Sequence, residues 1–167
     1  MIFKFFSKNF YISFSIVALI YFLDRLTKIY VIQLDKNNFG SDIFNSAYLN
    51  IVLIWNKGIA FGLLSFSETH LYNILSLIIS IIVLILVIMS LKSHGFKRYS
   101  LLMIVGGALG NLHDRIFFNA VPDFIDFHVG NFHWFIFNVS DIFITLGVIS
   151  MIILELADNK TEKQNND

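Results

Sequence analysis

The sequence contains no cysteine. That excludes disulfides, thiolate metal sites, a cysteine nucleophile and a lipid-modified cysteine within this chain. Proline occurs once in 167 residues, which suits a chain built mostly of uninterrupted helices. Charge is scarce too. Asp, Glu, Lys and Arg make up 14% of the residues, and twelve basic side chains balance twelve acidic ones. No global charge therefore points to nucleic acid or to an acidic partner. What remains is apolar: 56% of the residues are hydrophobic and the mean hydropathy is +0.71. A soluble domain of this size cannot hide so much apolar surface, so the composition points to lipid as the solvent.

A helix needs roughly 20 mainly apolar residues to cross a hydrocarbon core of ~30 Å. Four segments qualify, at about 10–31, 71–91, 99–117 and 139–157. Lys4 and Lys8 ahead of the first run imitate a secretory signal. That run is longer than a signal's apolar region, carries Asp24, Arg25 and Lys28, and is followed by no small-x-small cleavage site, so it reads as a retained span. Between spans one and two, residues 34–69 are rich in Asn, Ser and Gly, and alternation around Tyr48–Ile54 predicts short strands. Residues 118–138, between spans three and four, read as an aromatic-rich amphipathic loop. No internal repeat or low-complexity linker divides the chain, which reads as a single domain. The expected fold is thus an all-α membrane protein of four transmembrane helices, with a small β-containing extracytoplasmic loop and an amphipathic outer loop.

Orientation follows from the basic residues. Lys4, Lys8, Lys92, Lys97, Arg98, Lys160 and Lys163 lie in the termini and the short 92–99 connection, whereas the two long loops hold only Lys36 and Lys57, with Arg115 at an edge. Both termini are expected to be cytoplasmic and both long loops to face out.

Ionisable groups at membrane depth are costly and are functional candidates by default. At 1.5 Å per residue, Asp24 and Asp114 each sit roughly 20 Å from the inner edge. Asp141 lies within a turn of the outer start of span four, and Asp123 follows span three closely. All four reach one depth. Asp24 and Lys28 have ion-pair spacing, and a structural pair is at least as good a reading of them as a catalytic one. Asn111, Asp114 and Arg115 share a helical face, as do Asn138 and Asp141. Gly106 and Gly110 form a small-xxx-small pattern that predicts close helix packing. His113, His128 and His133 lie near Asp123 and Asp126 in sequence, but no H-E-x-x-H or comparable spacing is present. No metal site and no cofactor is expected. Serine catalysis finds no G-x-S-x-G turn.

Five blocks occur in order: Asp24-Arg-Leu-Thr-Lys28, Asn56-Lys-Gly-Ile-Ala-Phe-Gly62, Gly106-Gly-Ala-Leu-Gly-Asn-Leu-His-Asp-Arg115, Val121-Pro-Asp-Phe-Ile-Asp-Phe127 and Phe137-Asn-Val-Ser-Asp141. Their order and position against four spans resemble the lipoprotein signal peptidase family, also called signal peptidase II. The resemblance implies a bacterial inner-membrane aspartic endopeptidase with its site at the extracytoplasmic face. Its partners would be membrane lipid and a diacylglyceryl-modified prolipoprotein, cleaved on the N-terminal side of the lipidated lipobox cysteine. Carried onto matching positions, Asp123 and Asp141 would be the catalytic pair. Asn56, Asn111, Arg115 and Asn138 would support substrate and pair, and Asp24, Lys28 and Asp114 would hold the site in shape. Pro122, Ser140 and His113 depart from the family's usual residues. Phe132, Trp134 and Phe135 are expected to anchor at the interface rather than to touch substrate. Two other classes stay compatible with the residues: a small proton-coupled transporter, and a membrane scaffold without activity.

Overall fold

The computed structural model describes residues 8–38, 43–58 and 69–166. Four helices among them are long and apolar enough to cross a membrane. They are α1 (Lys8–Asn37), α2 (Thr69–Lys92), α3 (Gly95–Phe118) and α4 (Val139–Asn166). At 1.5 Å per residue α1 is about 45 Å long, so it projects beyond a hydrocarbon core. The outward faces carry large apolar side chains such as Phe22, Leu84 and Ile153, each 60% exposed. These faces need lipid.

The central helix is α3, which packs against α1, α2 and α4. Glycine sets how close it comes. A Cβ on Gly106 would lie 2.9 Å from the Cβ of Ile20 on α1, and one on Gly107 would lie 2.5 Å from the carbonyl oxygen of Ser140 on α4. Gly110 faces both neighbours, Asp24 of α1 and Ser140 of α4. The pattern thus does serve close packing, and on two sides at once. Gly147 of α4 answers it, seated against Ser100 and Ile104. No small-xxx-small spacing marks Gly147 in the sequence.

Four antiparallel strands form one sheet in the order β1-β2-β3-β4: Phe44–Asn45, Leu49–Asn56, Val121–Val129 and Phe132–Phe137. The strands expected around Tyr48–Ile54 are β1 and β2. The segment read as an amphipathic loop contains β3 and β4 as well, so Asp123 sits on a strand and not in a loop. The alternation that reveals a strand is erased here for two reasons. Val121, Pro122, Asp123 and Phe124 are buried in succession, and the register shifts between Asp126 and His128. Pro122 is tolerated because β3 and β4 pair only from Ile125↔Phe137 onward, so no β4 residue needs its missing N–H. The sheet contacts α1 through β2 and β3, and α3 through β3. Trp55 of β2 meets Phe118 of α3 with ring centroids 6.0 Å apart.

Candidate active site

Two polar clusters lie side by side where α1, α3 and α4 meet. The first is ionic. Asp24, Lys28 and Asp114 are at most 1% exposed, and Arg25 is 9% exposed. Arg25 grips Asp114 with two nitrogens, at 2.6 and 2.7 Å, and donates to Asp24 at 2.9 Å. Lys28 Nζ lies 2.9 Å from Asp24 and 2.7 Å from Asp114. Two cations and two anions therefore close on one another, which answers the burial cost of each. The Asp24–Lys28 spacing is realised as an ion pair. Arg25 is the member that sequence reasoning missed, although a charge inside a span was signal enough.

The second cluster is made of carboxylates and amides. Asp123, 3% exposed on β3, accepts from Asn56 Nδ2 at 2.9 Å and from Asn138 Nδ2 at 2.6 Å. Asp141 stands in the first turn of α4 and accepts from Asn111 Nδ2 at 2.8 Å and from the Asn138 backbone N–H at 3.1 Å. The Asp141 N–H donates back to Asn138 Oδ1 at 3.2 Å. This reciprocal pair is a capping box, with Asn138 as N-cap and Asp141 three residues on. The N–H of Ser140 goes to Asp24 Oδ1 at 3.0 Å. The free donors of the first turn of α4 are thus used to hold one acid of each cluster.

Asn111 links the clusters, accepting from Lys28 Nζ at 2.8 Å while donating to Asp141. Arg115 serves the backbone. It donates to Gly58 O at 3.0 Å and to Asn111 O at 3.2 Å. The Gly58 N–H in turn donates to Asn56 Oδ1 at 2.8 Å, so Arg115 steadies the turn that aims Asn56 at Asp123. The rest of that sequence block, 59–62, lies outside the described residues.

Asp123 and Asp141 both open onto a cavity of about 230 Å³, also lined by Asn56, Asn111, Arg115 and Thr145. Among the described residues, neither acid has a lysine or arginine within salt-bridge distance. Burial raises the Asp123 carboxyl to about 6, and the charge of Asp141 pushes in the same direction against the amides of Asn56 and Asn138. A second, apolar groove of about 270 Å³ runs between β4 and α4, lined by Trp134, Phe137, Ile142 and Leu146. It shares Asp141 and Thr145 with the first cavity. Asp24, Lys28 and Asp114 do not line either space.

The three histidines separate. His113 Nδ1 is hydrogen-bonded to the Tyr21 hydroxyl at 2.9 Å, and the ring lies beside Phe117. His128 and His133 face each other across β3 and β4.

Comparison with known proteins agrees with this arrangement of helices and sheet. The family model described as "Signal peptidase (SPase) II" matches residues 16–157. A protein of Pelagibacter ubique (strain HTCC1062) named lipoprotein signal peptidase is 46% identical over 160 residues, covering 95% of this chain and 96% of that one. One of the same name from Anaplasma phagocytophilum (strain HZ) is 43% identical over 136 residues, 80% of this chain and 85% of that one. A solved structure described as a bacterial membrane enzyme at 2.3 Å resolution superposes with a TM-score of 0.72 at 30% identity, over 89% of this chain and 90% of that one. With a matching model over most of its length, near-complete relatives and a shared architecture, this chain belongs to the signal peptidase II family.

Proposed function

We propose that Asp123 and Asp141 are the catalytic dyad of this protein, and that it cuts diacylglyceryl-modified prolipoproteins on the N-terminal side of the lipidated cysteine. Its family consists of aspartic peptidases that cleave signal peptides from lipoprotein precursors, and that is the activity of this membrane protein. One observation carries the residue assignment. Two carboxylates from different elements, Asp123 buried and Asp141 half-buried, open onto one cavity, bridged by Asn138 and free of cationic partners among the described residues.

Two such acids do not ionise together cheaply, so the pair holds one proton. Either acid can hold it at the start of the cycle. The ionised member takes a proton from a water molecule, whose oxygen attacks the scissile carbonyl carbon. The protonated member gives its proton to the carbonyl oxygen. On collapse, the proton newly taken from water passes to the leaving amine nitrogen, and a hydroxyl proton of the tetrahedral intermediate returns to the other acid. The amides of Asn56, Asn111 and Asn138 orient both acids without cancelling their charge.

The apolar groove beside Asp141 supports a route for the substrate's apolar segments, with Trp134 at its side. Interfacial anchoring suits Phe132, which is 63% exposed. The distribution of Lys and Arg supports cytoplasmic termini, and with them a site at the outer face of a bacterial inner membrane.

The test is cleavage of a diacylglyceryl prolipoprotein by the purified chain in detergent micelles. A shortened product is expected from the unaltered protein and from neither Asp123→Asn nor Asp141→Asn. Cleavage by both variants would overturn the dyad. A transporter would need a sealed vesicle and would give no product in micelles.

A further inference from the structure

We propose that Asp126, His128 and His133 bind a divalent transition-metal ion of the Zn²⁺ class, clasping the β3–β4 hairpin outside the catalytic cavity. Each of the three offers one ligand atom, and these atoms all lie within 4.8 Å of one another. Donors around a tetrahedral ion with bonds of about 2.0–2.2 Å stand about 3.3–3.6 Å apart, so modest ring rotation brings this set into range. The sheet has already done most of the gathering. Asp126 and His128 are two apart on β3, and His128 pairs with His133 on β4. The shift of register between Asp126 and His128 inserts a residue on β4 and brings His133 Nδ1 to 2.9 Å from Asp126 Oδ2.

A simple hydrogen bond accounts for Asp126 and His133, but not for His128. The Nδ1 of His128 is buried and has no hydrogen-bond partner among the described residues. Its ring lies 18° from parallel to that of His133, with centroids 5.0 Å apart. A buried ring nitrogen without a partner, beside a second imidazole and a 4% exposed carboxylate, is the donor set of a three-ligand site with a position left for water. Two nitrogens and one oxygen favour Zn²⁺ or a similar ion over Mg²⁺ or Ca²⁺, which take oxygen shells. The His133 side chain is 52% exposed, which gives the ion an entry path. Bound to the ion, His133 is the neutral tautomer with its proton on Nε2 and Nδ1 as ligand, and Asp126 is ionised beside it. Asn50 Nδ2, 3.3 Å from Asp126 Oδ2, holds the carboxylate from β2. The ion would tie the two strands just inside the turn at Gly130, fixing the strand that carries Trp134 beside the apolar groove.

The experiment titrates Co²⁺ and then Zn²⁺ into the untagged full chain in detergent micelles. One equivalent of Co²⁺ should bind with the visible absorption of a tetrahedral nitrogen–oxygen site and be displaced by Zn²⁺. His128→Gln and His133→Gln should each weaken binding at least about tenfold. Absence of the Co²⁺ bands in the unaltered protein would overturn the site whether or not the variants fold. So would binding unchanged in both variants, which would mark an adventitious ion. Cleavage of prolipoprotein by Asp123→Asn would test the dyad separately, so the two assignments fail independently.

Discussion

Asp24 and Asp114 on one side, and buried Asp123 with half-buried Asp141 on the other, sit in neighbouring clusters, yet their surroundings suit opposite tasks. The first two are clamped by Arg25 and Lys28. A carboxylate so paired stays charged and contributes to shape. The second two are held by amide and backbone donors. Amides fix position while leaving more of the cost of burying a charge uncompensated, and this is what holds a proton near neutral pH. Placing the ionic cluster two hydrogen bonds away, through Asn111, lets a rigid salt-bridged core aim a responsive pair.

The sharpest break of this contrast is amide substitution on each side. Asp141→Asn should lower turnover of a lipidated prolipoprotein by about 10³–10⁴-fold, the scale of a lost proton-transfer group. Thermal unfolding in micelles should change little by comparison. Lys28→Met should do the reverse, costing about 3–5 kcal/mol of stability because Asp24 and Asp114 are left with one cation. Equal activity losses in the two variants, with equal unfolding temperatures, would dissolve the distinction. Gly110→Ala probes the join between the clusters. Its Cβ would stand 2.6 Å from Asp24 Oδ2, and overpacking there should cost about 1–3 kcal/mol, read as a lowered unfolding temperature.

The gentlest test is pH. The pair must carry one proton in the free enzyme, and with the Asp123 carboxyl raised to about 6, kcat/KM should fall as pH rises through that value. Asn56→Ala removes a donor that favours the charged form, so this limb should move to higher pH. A limb that stays in place would detach Asn56 from the acid. Stability follows the same sign. The folded carboxyl binds its proton more tightly than the same carboxyl in the unfolded chain, which titrates near 3.8. This group's contribution is therefore complete below about pH 4 and lost as pH rises to about 6.

Much of the site was legible along the chain because burying charge in an apolar run leaves a mark. Asp24, Lys28, Asp114 and Asp141 stood out against their spans, and the ordered blocks tied them to a family. Arg25 stood in plain sight beside Asp24, yet its bidentate hold on Asp114 joins residues 89 apart, which no local spacing announces. Strands β3 and β4 were hidden because burial of four successive residues and a register shift removed the period of two. His113 was grouped with His128 and His133 by closeness in sequence, and the fold sends it to Tyr21 on another helix.

Hydropathy is a property of each segment alone, so the sequence by itself determined that four helices need lipid on their outer faces and that acids interrupt them at a shared level. Which acid meets a cation and which meets an amide depends on contacts between elements far apart in the chain. Asp24 reaches the Ser140 backbone across 116 residues, and Asn56 reaches Asp123 across 67. Only the tertiary structure decided those partners. Glycine-permitted closeness of α3 to its neighbours, and the pairing of β2 with β3, set the distances on which a carboxylate's proton affinity depends.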